Sequence, residues 1–194
     1  MERKAKIERK TKETDIAIEV NLDGTGCFSI VTGVGFLDHM LDLLIRFSSI
    51  DLKIQAKGDL QVDTHHIIED TGICLGQVLK KALGDKKGIK RFGFASVPMD
   101  ETLVNTSVDI SGRPLLVFNV PLVRGREGSF EIEDAKEFLR GFATHCGITL
   151  HINLAYGENL HHINEAVFKS LALALKDALR IEGKELPSTK GSID

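Results

Sequence analysis

Two clusters of histidine and glutamate have the spacing of metal ligands. The first is His65-His66-Ile67-Ile68-Glu69, and the second is His161-His162-Ile163-Asn164-Glu165. Residues three and four apart share one face of a helix, so each glutamate projects together with the histidines before it. Adjacent histidines in a helix point about 100° apart, so one ion is not expected to take both rings of a pair. We expect each pair to supply ligands to two different ions.

Ligands from other elements must complete such sites, because two or three side chains from one helix leave the coordination of an ion incomplete. His39, on an earlier helical segment, is the first candidate. The offset that aligns the strands around Ile50 and Ile148 places Glu137 opposite His39, and carboxylate and imidazole both bind Mn, Fe or Zn. His145 is the rival, but that offset matches it to an expected core position, so we prefer Glu137. No cysteine takes part, which excludes a zinc finger, yet the ligands do not choose among Mn, Fe, Ni and Zn.

The clusters occur twice because the chain contains an internal repeat. Alternating runs that begin at Glu13-Thr14 and at Glu101-Thr102 each lead to a glycine turn and a second β-rich run, which predicts a β-hairpin in each half. A helical pattern, a strand, the histidine cluster and a leucine-rich helix follow in both halves. The sequence therefore predicts an α+β protein of two tandem β-β-α-β-α repeats with pseudo-twofold symmetry, each a sheet with helices packed on one face.

We assign residues 1–90 to the first half and 91–194 to the second, within one compact catalytic domain. The segment from Arg124 to Glu133 is the largest insertion in the second half and is predicted to be an exposed loop. Residues 182–194 lack periodicity and have the composition of a tail.

Composition limits the class of protein. The 194 residues are 42% hydrophobic and 27% charged with a net charge of −3, which is typical of a soluble globular protein with no general attraction to nucleic acid or membranes. One Tyr and no Trp leave little for base stacking. No signal peptide and no membrane span is expected. Cys27, Cys74 and Cys146 lack CxxC spacing and are interpreted as buried thiols of a cytoplasmic protein.

Three motifs resemble those of the imidazoleglycerol-phosphate dehydratase family. They are Phe36-Leu37-Asp38-His39-Met40-Leu41, the stretch DTHHIIED at 63–70 and the stretch GENLHHINEA at 157–166. The resemblance extends from Arg9 to the PSTKG ending at 187–191. One departure is Glu137, where many members of the family carry histidine. The resemblance implies a fold like that of ribosomal protein S5 domain 2.

The resemblance also implies an activity and a site. The activity is that of a lyase of histidine biosynthesis, which dehydrates D-erythro-imidazoleglycerol phosphate to imidazole-acetol phosphate. Two Mn²⁺ ions per active site and a 24-subunit homo-oligomer with sites at subunit interfaces are expected with it. The implied metal ligands are His39, His65, His66, Glu69, Glu137, His161, His162 and Glu165. Glu13 is the implied general base, with Glu69 and Glu165 as further catalytic candidates, and substrate binding is assigned to Glu13, Arg91, Arg113, Lys169, Ser188 and Lys190.

Two other classes of function fit the histidine clusters. A two-metal phosphatase or hydrolase acting on a phosphorylated small molecule would use the same ligand types. A non-enzymatic metal-stabilised assembly or nucleic-acid module is the second alternative, and the lack of basic surplus argues against binding of nucleic acid.

Overall fold

The computed structural model describes residues 2–121 and 125–193 and contains two similar halves. The elements of the first half are β1 (Lys4–Lys10), β2 (Thr14–Asn21), β3 (Phe28–Val31), α1 (Gly35–Ser48), β4 (Asp51–Gly58) and α2 (His65–Leu83). Those of the second half are β5 (Phe92–Met99), β6 (Thr102–Asp109), β7 (Leu115–Asn119), α3 (Ile132–Cys146), β8 (Thr149–Tyr156) and α4 (Leu160–Leu179).

Each half forms one four-stranded sheet, and the two sheets have the same topology. Their strand orders are β1-β2-β4-β3 and β5-β6-β8-β7. The first three strands in each order pair antiparallel, and the last pairs parallel to its neighbour. The two predicted β-β-α-β-α units are therefore present, as β2-β3-α1-β4-α2 and β6-β7-α3-β8-α4. A further strand, β1 or β5, precedes each unit.

The predicted β-hairpins were wrong. β2 and β3 do not pair, because β4 lies between them in the sheet, and β6 and β7 are separated by β8 in the same way. β3 runs parallel to β4 and reaches it through α1, as a parallel pair requires. The hairpin partner of β2 is β1, whose outward side chains are charged and whose inward ones are only partly buried, so its alternation is weak in the sequence.

The four helices lie between the two sheets. α2 packs on the first sheet and α4 on the second, while α1 contacts α4 and α2 contacts α3. Helices of different halves therefore meet in the middle layer, where the core includes the fully buried side chains of Leu37, Met40, Phe138, Phe142 and Phe168. This pairing brings side chains of one repeat beside those of the other.

Glycines allow α2 and α3 to approach closely. A Cβ atom at Gly72 would lie 2.3 Å from the carbonyl oxygen of Phe138, and one at Gly76 would lie 2.5 Å from that of Phe142. Both obstacles are backbone atoms, which cannot rotate away. Only glycine fits at these two positions with the helices at this distance.

The insertion and the tail both pack against the rest of the chain. Arg124 lies outside the described residues, and the loop beyond it buries Phe130 completely, so the segment is only in part exposed. In the tail, the backbone N–H of Gly88 donates to Glu185 O at 2.9 Å, and Ile193 is buried. The composition of residues 182–193 therefore suggested a looser segment than the structure contains.

The cysteines correct one expectation. Cys74 and Cys146 are buried, and burial raises the pKa of Cys74 to about 11 and that of Cys146 to about 12. Cys27, in contrast, is exposed, because the turn that leads into β3 lies at the surface. Among the described residues, no helix is both long and apolar enough to cross a membrane.

Candidate metal centre

His39, His161 and Glu165 form a compact group that we call the α4 set. His39 lies on α1 and the other two lie in the first turns of α4. Glu165 Oε1 is 3.1 Å from His39 Nε2 and 3.0 Å from His161 Nε2. One potential ligand atom from each residue lies within 4.8 Å of the other two. Nitrogen and oxygen donors in this arrangement suit a divalent transition metal. His39, which was expected to supplement a histidine cluster, lies beside the second cluster.

The electrostatics of the α4 set favour an ionised carboxylate. Burial raises the pKa of Glu165, but hydrogen bonds from Lys169, His39 and His161 outweigh burial and bring that pKa down to about 2. Lys169, one turn further along α4, makes an ion pair with the same carboxylate. At the start of the helix the Asn159 side chain accepts a hydrogen bond from the backbone N–H of His162 and so fixes the first turn.

His65, Glu69 and Glu137 form the corresponding α2 set. His65 Nε2 is 4.0 Å from Glu69 Oε2, and Arg140 connects Glu69, at 3.3 Å, with Glu137 through an ion pair. Glu137 Oε2 is buried without a hydrogen bond of acceptable geometry from any described residue. Within the described part of the chain, this oxygen pairs only with Arg140, and a carboxylate oxygen with one such partner keeps a lone pair that a metal ion can use. A divalent ion is therefore compatible with the α2 set as well.

His145, the rival to Glu137, lies elsewhere on α3. Its Nδ1 atom is 2.9 Å from the carbonyl oxygen of Gly141, on its own helix. Eight residues separate it from Glu137, about 12 Å along the helix axis. The structure thus brings Glu137 beside Glu69 and does not bring His145 there.

His66 and His162, which we call the outer histidines, point away from the two sets. His66 Nδ1 is 3.1 Å from Asp59 Oδ2, and His162 Nδ1 is 2.6 Å from Glu101 Oε2. These carboxylates raise the pKa of His66 and of His162, mainly through the hydrogen bond in each case. The hydrogen bond from His162 also lowers the pKa of Glu101 well below its usual range. The two histidines of each pair therefore contact different groups, as expected for adjacent residues in a helix.

Glu13 lies beside the first outer histidine, at the end of the turn between β1 and β2. Its Oε1 atom is 4.0 Å from His66 Nε2, and its side chain is half exposed. The turn is tied to α2, because Thr14 Oγ1 donates to the buried Asp70 at 2.5 Å and Arg9 pairs with the same carboxylate. Glu13 is thus an accessible carboxylate held near a candidate metal ligand.

Four of the expected substrate-binding residues lie at the opposite end of the second sheet. We call them the arginine cluster: Arg91, Arg113, Ser188 and Lys190. Arg91 Nε donates to Asp109 at 2.7 Å, Arg113 lies 3.6 Å from the same carboxylate, and Arg91 Nη1 donates to Pro187 O at 2.8 Å. Pro187 precedes the two tail residues of the cluster, Ser188 and Lys190. The backbone of Arg91 is left-handed, with φ 76°, a strained conformation that is common at functional positions. Lys169 does not join this cluster, because it lies at the α4 set.

The arginine cluster is far from the α4 set of the same chain. The backbone N–H of Arg91 donates to Ala178 O near the end of α4, whereas His161 lies at its beginning. At 1.5 Å per residue, these two points of the helix are about 26 Å apart.

Sequence reasoning missed Asp59, Glu101 and Arg140, which contact the candidate ligands. Glu101 could have been found, because the repeat aligns it with Glu13. Arg140 follows Glu137 by three residues and shares its helix face, which is a weaker signal. Asp59 lies in a connection outside the periodic patterns and had no signal of its own.

The chain matches the family model described as imidazoleglycerol-phosphate dehydratase over residues 32–175. The chain belongs to the imidazoleglycerol-phosphate dehydratase family. It is 58% identical to the imidazoleglycerol-phosphate dehydratase of Thermoanaerobacter pseudethanolicus over 97% of this chain and 98% of that protein. The dehydratase of Thermodesulfovibrio yellowstonii is 56% identical, over 98% of this chain and all of its own length.

Crystal structures of the family share this fold. The imidazoleglycerol-phosphate dehydratase of Staphylococcus aureus superposes with a TM-score of 0.83 at 41% identity, covering 92% of this chain and 99% of its own. The Pyrococcus furiosus enzyme, in complex with (S)-C348, gives a TM-score of 0.84 at 41% identity over 96% and 99% of the two chains. The chain is accordingly a lyase that dehydrates imidazoleglycerol phosphate in histidine biosynthesis. The comparisons do not support the phosphatase or hydrolase alternative.

Proposed function

We propose that the chain dehydrates imidazoleglycerol phosphate at a two-metal centre built between copies of itself. The observation that carries this proposal is the distance of about 26 Å between the arginine cluster and the α4 set of one chain. In the substrate, five bonds of about 1.5 Å separate the imidazole ring from phosphorus, so it spans about 7 Å. One molecule cannot reach both groups of a single chain, but it can bind where a metal centre shared between copies faces the arginine cluster of a neighbouring copy.

Mn²⁺ is the metal that we propose, at two ions per active site. The α4 and α2 sets with the outer histidines would hold the ions. The converging donors of the α4 set and the buried Glu137 oxygen of the α2 set support this assignment. When bound, such ions act as Lewis acids that bind and orient the imidazole ring and make the adjacent carbon–hydrogen bond more acidic.

The phosphate group belongs with the arginine cluster. Arg91 and Arg113 share the single carboxylate of Asp109, so this group of three side chains keeps a net positive charge. The side chain of Arg113 is largely exposed and can turn toward a ligand. Guanidinium groups bind phosphate oxygens through paired charged hydrogen bonds, and Ser188 and Lys190 add two more donors. Lys169 serves Glu165 instead and would act at the imidazole end of the substrate.

Glu13 is the proposed general base. It is accessible, lies 4.0 Å from His66 Nε2 and makes no hydrogen bond that would occupy its carboxylate among the described contacts. A carboxylate at this position can take the proton from the carbon beside the imidazole ring, which is the difficult step of the dehydration. Glu69 and Glu165 are less suited, because their carboxylates already pair with Arg140 and Lys169.

The proposal extends to assembly and location. A site shared between copies requires a homo-oligomer, for which we propose the 24-subunit shell implied by the family resemblance. A cytoplasmic location agrees with an amino-acid biosynthetic enzyme whose three cysteines are all free thiols.

Product analysis with metal analysis tests this function. The purified protein is incubated with imidazoleglycerol phosphate, and ketone and free phosphate are measured in parallel with its metal content and particle size. We expect ketone without phosphate release, about two Mn²⁺ per site and a large particle. Phosphate release would indicate hydrolysis, and full turnover by a metal-free monomer would refute the two-metal site between copies.

A further inference from the structure

The two outer histidines are held by carboxylates from different positions of the repeat. His66 Nδ1 faces Asp59, with both carboxylate oxygens within 3.2 Å, whereas His162 Nδ1 faces Glu101 at 2.6 Å. In both rings Nδ1 carries the hydrogen bond, and a neutral ring that donates from Nδ1 leaves the lone pair on Nε2. The same tautomer therefore results from two different partners.

The repeat alignment shows that the partners have been exchanged. Glu101 corresponds to Glu13, since each begins the alternating strand of its half. Asp59 corresponds to Gly157 when the strands around Ile50 and Ile148 are aligned. The first half therefore uses the position that is glycine in the second half, and Glu13 lies 4.0 Å from His66 Nε2 without holding its Nδ1.

Steric space explains why the second half cannot use the position of Asp59. A Cβ atom at Gly157 would lie 2.5 Å from Thr102 Oγ1, and its φ of 157° is strained for other residues. Glu101 takes the role instead and is itself fixed by the hydroxyl of Thr102 at 3.0 Å and the backbone N–H of Asn159 at 2.9 Å. These contacts hold the Glu101 carboxylate beside His162.

The backbone holds Asp59 close to Glu13. Its backbone N–H donates to the carbonyl oxygen of Glu13 at 3.1 Å, so the two residues share one rigid corner of the first sheet. The Asp59 side chain is largely buried while that of Glu13 is half exposed. The buried carboxylate of Asp59 contacts the histidine, and the carboxylate of Glu13 faces solvent.

We propose that Asp59 and Glu101 are positioning residues that keep His66 and His162 as metal ligands through Nε2, and that Asp59 thereby frees Glu13 for proton transfer. This inference rests on the proposed two-metal function. Carboxylates that accept the other N–H of a ligating imidazole fix its orientation and raise its basicity, and their removal weakens metal binding about 10–100-fold. Glu13, having no such role, contributes nothing to metal affinity.

Mn²⁺ affinity of the assembled protein tests the proposal. Metal-free protein is titrated by equilibrium dialysis, with electron paramagnetic resonance to follow free Mn²⁺. Asp59→Ala and Glu101→Ala are expected to weaken binding about 10–100-fold. Asp59→Asn and Glu101→Gln keep an acceptor oxygen and should recover most of the affinity, which a purely structural loss would not show. Glu13→Ala, the repeat counterpart of Glu101→Ala, should bind Mn²⁺ as the wild type does.

The outcomes separate this inference from the proposed function. Wild-type affinity in Asp59→Ala, or an equal loss in Glu13→Ala, would overturn the exchange of roles. Unchanged Mn²⁺ binding in His66→Ala and His162→Ala would instead remove the outer histidines from the metal centre, and with them the two-metal assignment. Thermal denaturation of each variant identifies a misfolded protein, and the Asp59→Asn and Glu101→Gln pair then decides the test.

Discussion

At the scale of single residues, the α4 and α2 sets differ in how their negative charge is balanced. Glu165 has Lys169 on its own helix and two histidines as neighbours, whereas Glu69 and Glu137 share Arg140. The α2 set therefore has two carboxylates and one imidazole, and the α4 set has one carboxylate and two imidazoles. Glu137 adds a negative charge where histidine would add none, and Arg140 offsets it.

This account predicts the effect of changing Glu137. Glu137→Ala should lower the Mn²⁺ content by about half, because one of two ions loses a ligand, whereas Glu137→His should retain it. His145→Ala, on the same helix, is the matched control and should keep full metal content. Elemental analysis of the three variants gives the answer, and full occupancy in Glu137→Ala with loss in His145→Ala would exchange the two assignments.

Glu13→Gln tests the base. The amide keeps the shape of the side chain but cannot accept the proton, so kcat should fall about 10²–10⁴-fold with metal content, particle size and KM little changed. Glu19→Gln, an exposed glutamate on the neighbouring strand, is the control. Steady-state kinetics decides the matter. Near-normal kcat in Glu13→Gln would turn attention to Glu69 or Glu165, and a loss of substrate binding would make Glu13 a positioning residue.

The residue types and spacing of the α4 and α2 sets were predictable at this scale, but their surroundings were not. The repeat aligned Glu137 with His39, because the two residues occupy equivalent positions of α3 and α1. Asp59 and Arg140 reach the histidines and glutamates through connections and helix contacts that no sequence period encodes. The repeat could have indicated Glu101, but only the structure distinguishes its role from that of Glu13.

At the scale of elements, the contact between α2 and α3 positions the α2 set. Gly72 lies against the backbone beside Phe138, and a Cβ at Gly141 would lie 3.1 Å from the carbonyl oxygen of Glu69. Glu69 and Glu137 lie on these two helices, so the distance between their carboxylates depends on how closely the helices pack. A side chain that separates the helices separates the ligands.

Gly72→Ala should therefore lower both stability and metal affinity. The added methyl group meets a carbonyl oxygen at 2.3 Å, and overpacking of this kind costs about 1–3 kcal/mol. Gly183→Ala adds the same group where no atom lies within 4 Å and is the control. Thermal denaturation and Mn²⁺ content of the two proteins provide the comparison. Equal stability would mean that the helices can separate without cost.

Most elements were predictable, and the pairing of strands was not. Helices α2 and α4 have a buried leucine stripe, and β2, β4, β6 and β8 alternate clearly, so periodicity indicates them. Pairing is a long-range property, and the insertion of β4 between β2 and β3 has no local signature. The outward face of β1 is charged and its inward residues are only partly buried, so its sequence pattern does not predict a strand.

At the scale of the whole molecule, the separation of the α4 set from the arginine cluster is the central feature. α4 connects the two regions, with His161 near its first residue and Ala178 near its last. Catalysis by the isolated chain would require a substrate of that length. The motifs predicted both groups of residues, but only the fold reveals that they lie at opposite ends of one helix.

Removal of the metal should weaken the assembly. If ions bind ligands from more than one copy, their binding energy contributes to subunit association, and chelation should convert the large particle to smaller oligomers. Light scattering before and after treatment with a chelator, and after Mn²⁺ is added back, follows this change. Retention of the full particle with no bound metal would place all ligands of each ion within one chain.

Mixed oligomers test the shared site most directly. His65→Ala removes a metal ligand and Arg113→Ala removes a phosphate ligand, so each protein alone should be inactive. Coexpression in equal amounts, with separate tags to isolate mixed particles, should restore about a quarter of the wild-type kcat, because random assembly combines an intact metal set with an intact arginine cluster at that frequency. A mixed particle as inactive as the two parent proteins would contradict the account and would place both groups of one active site in the same chain.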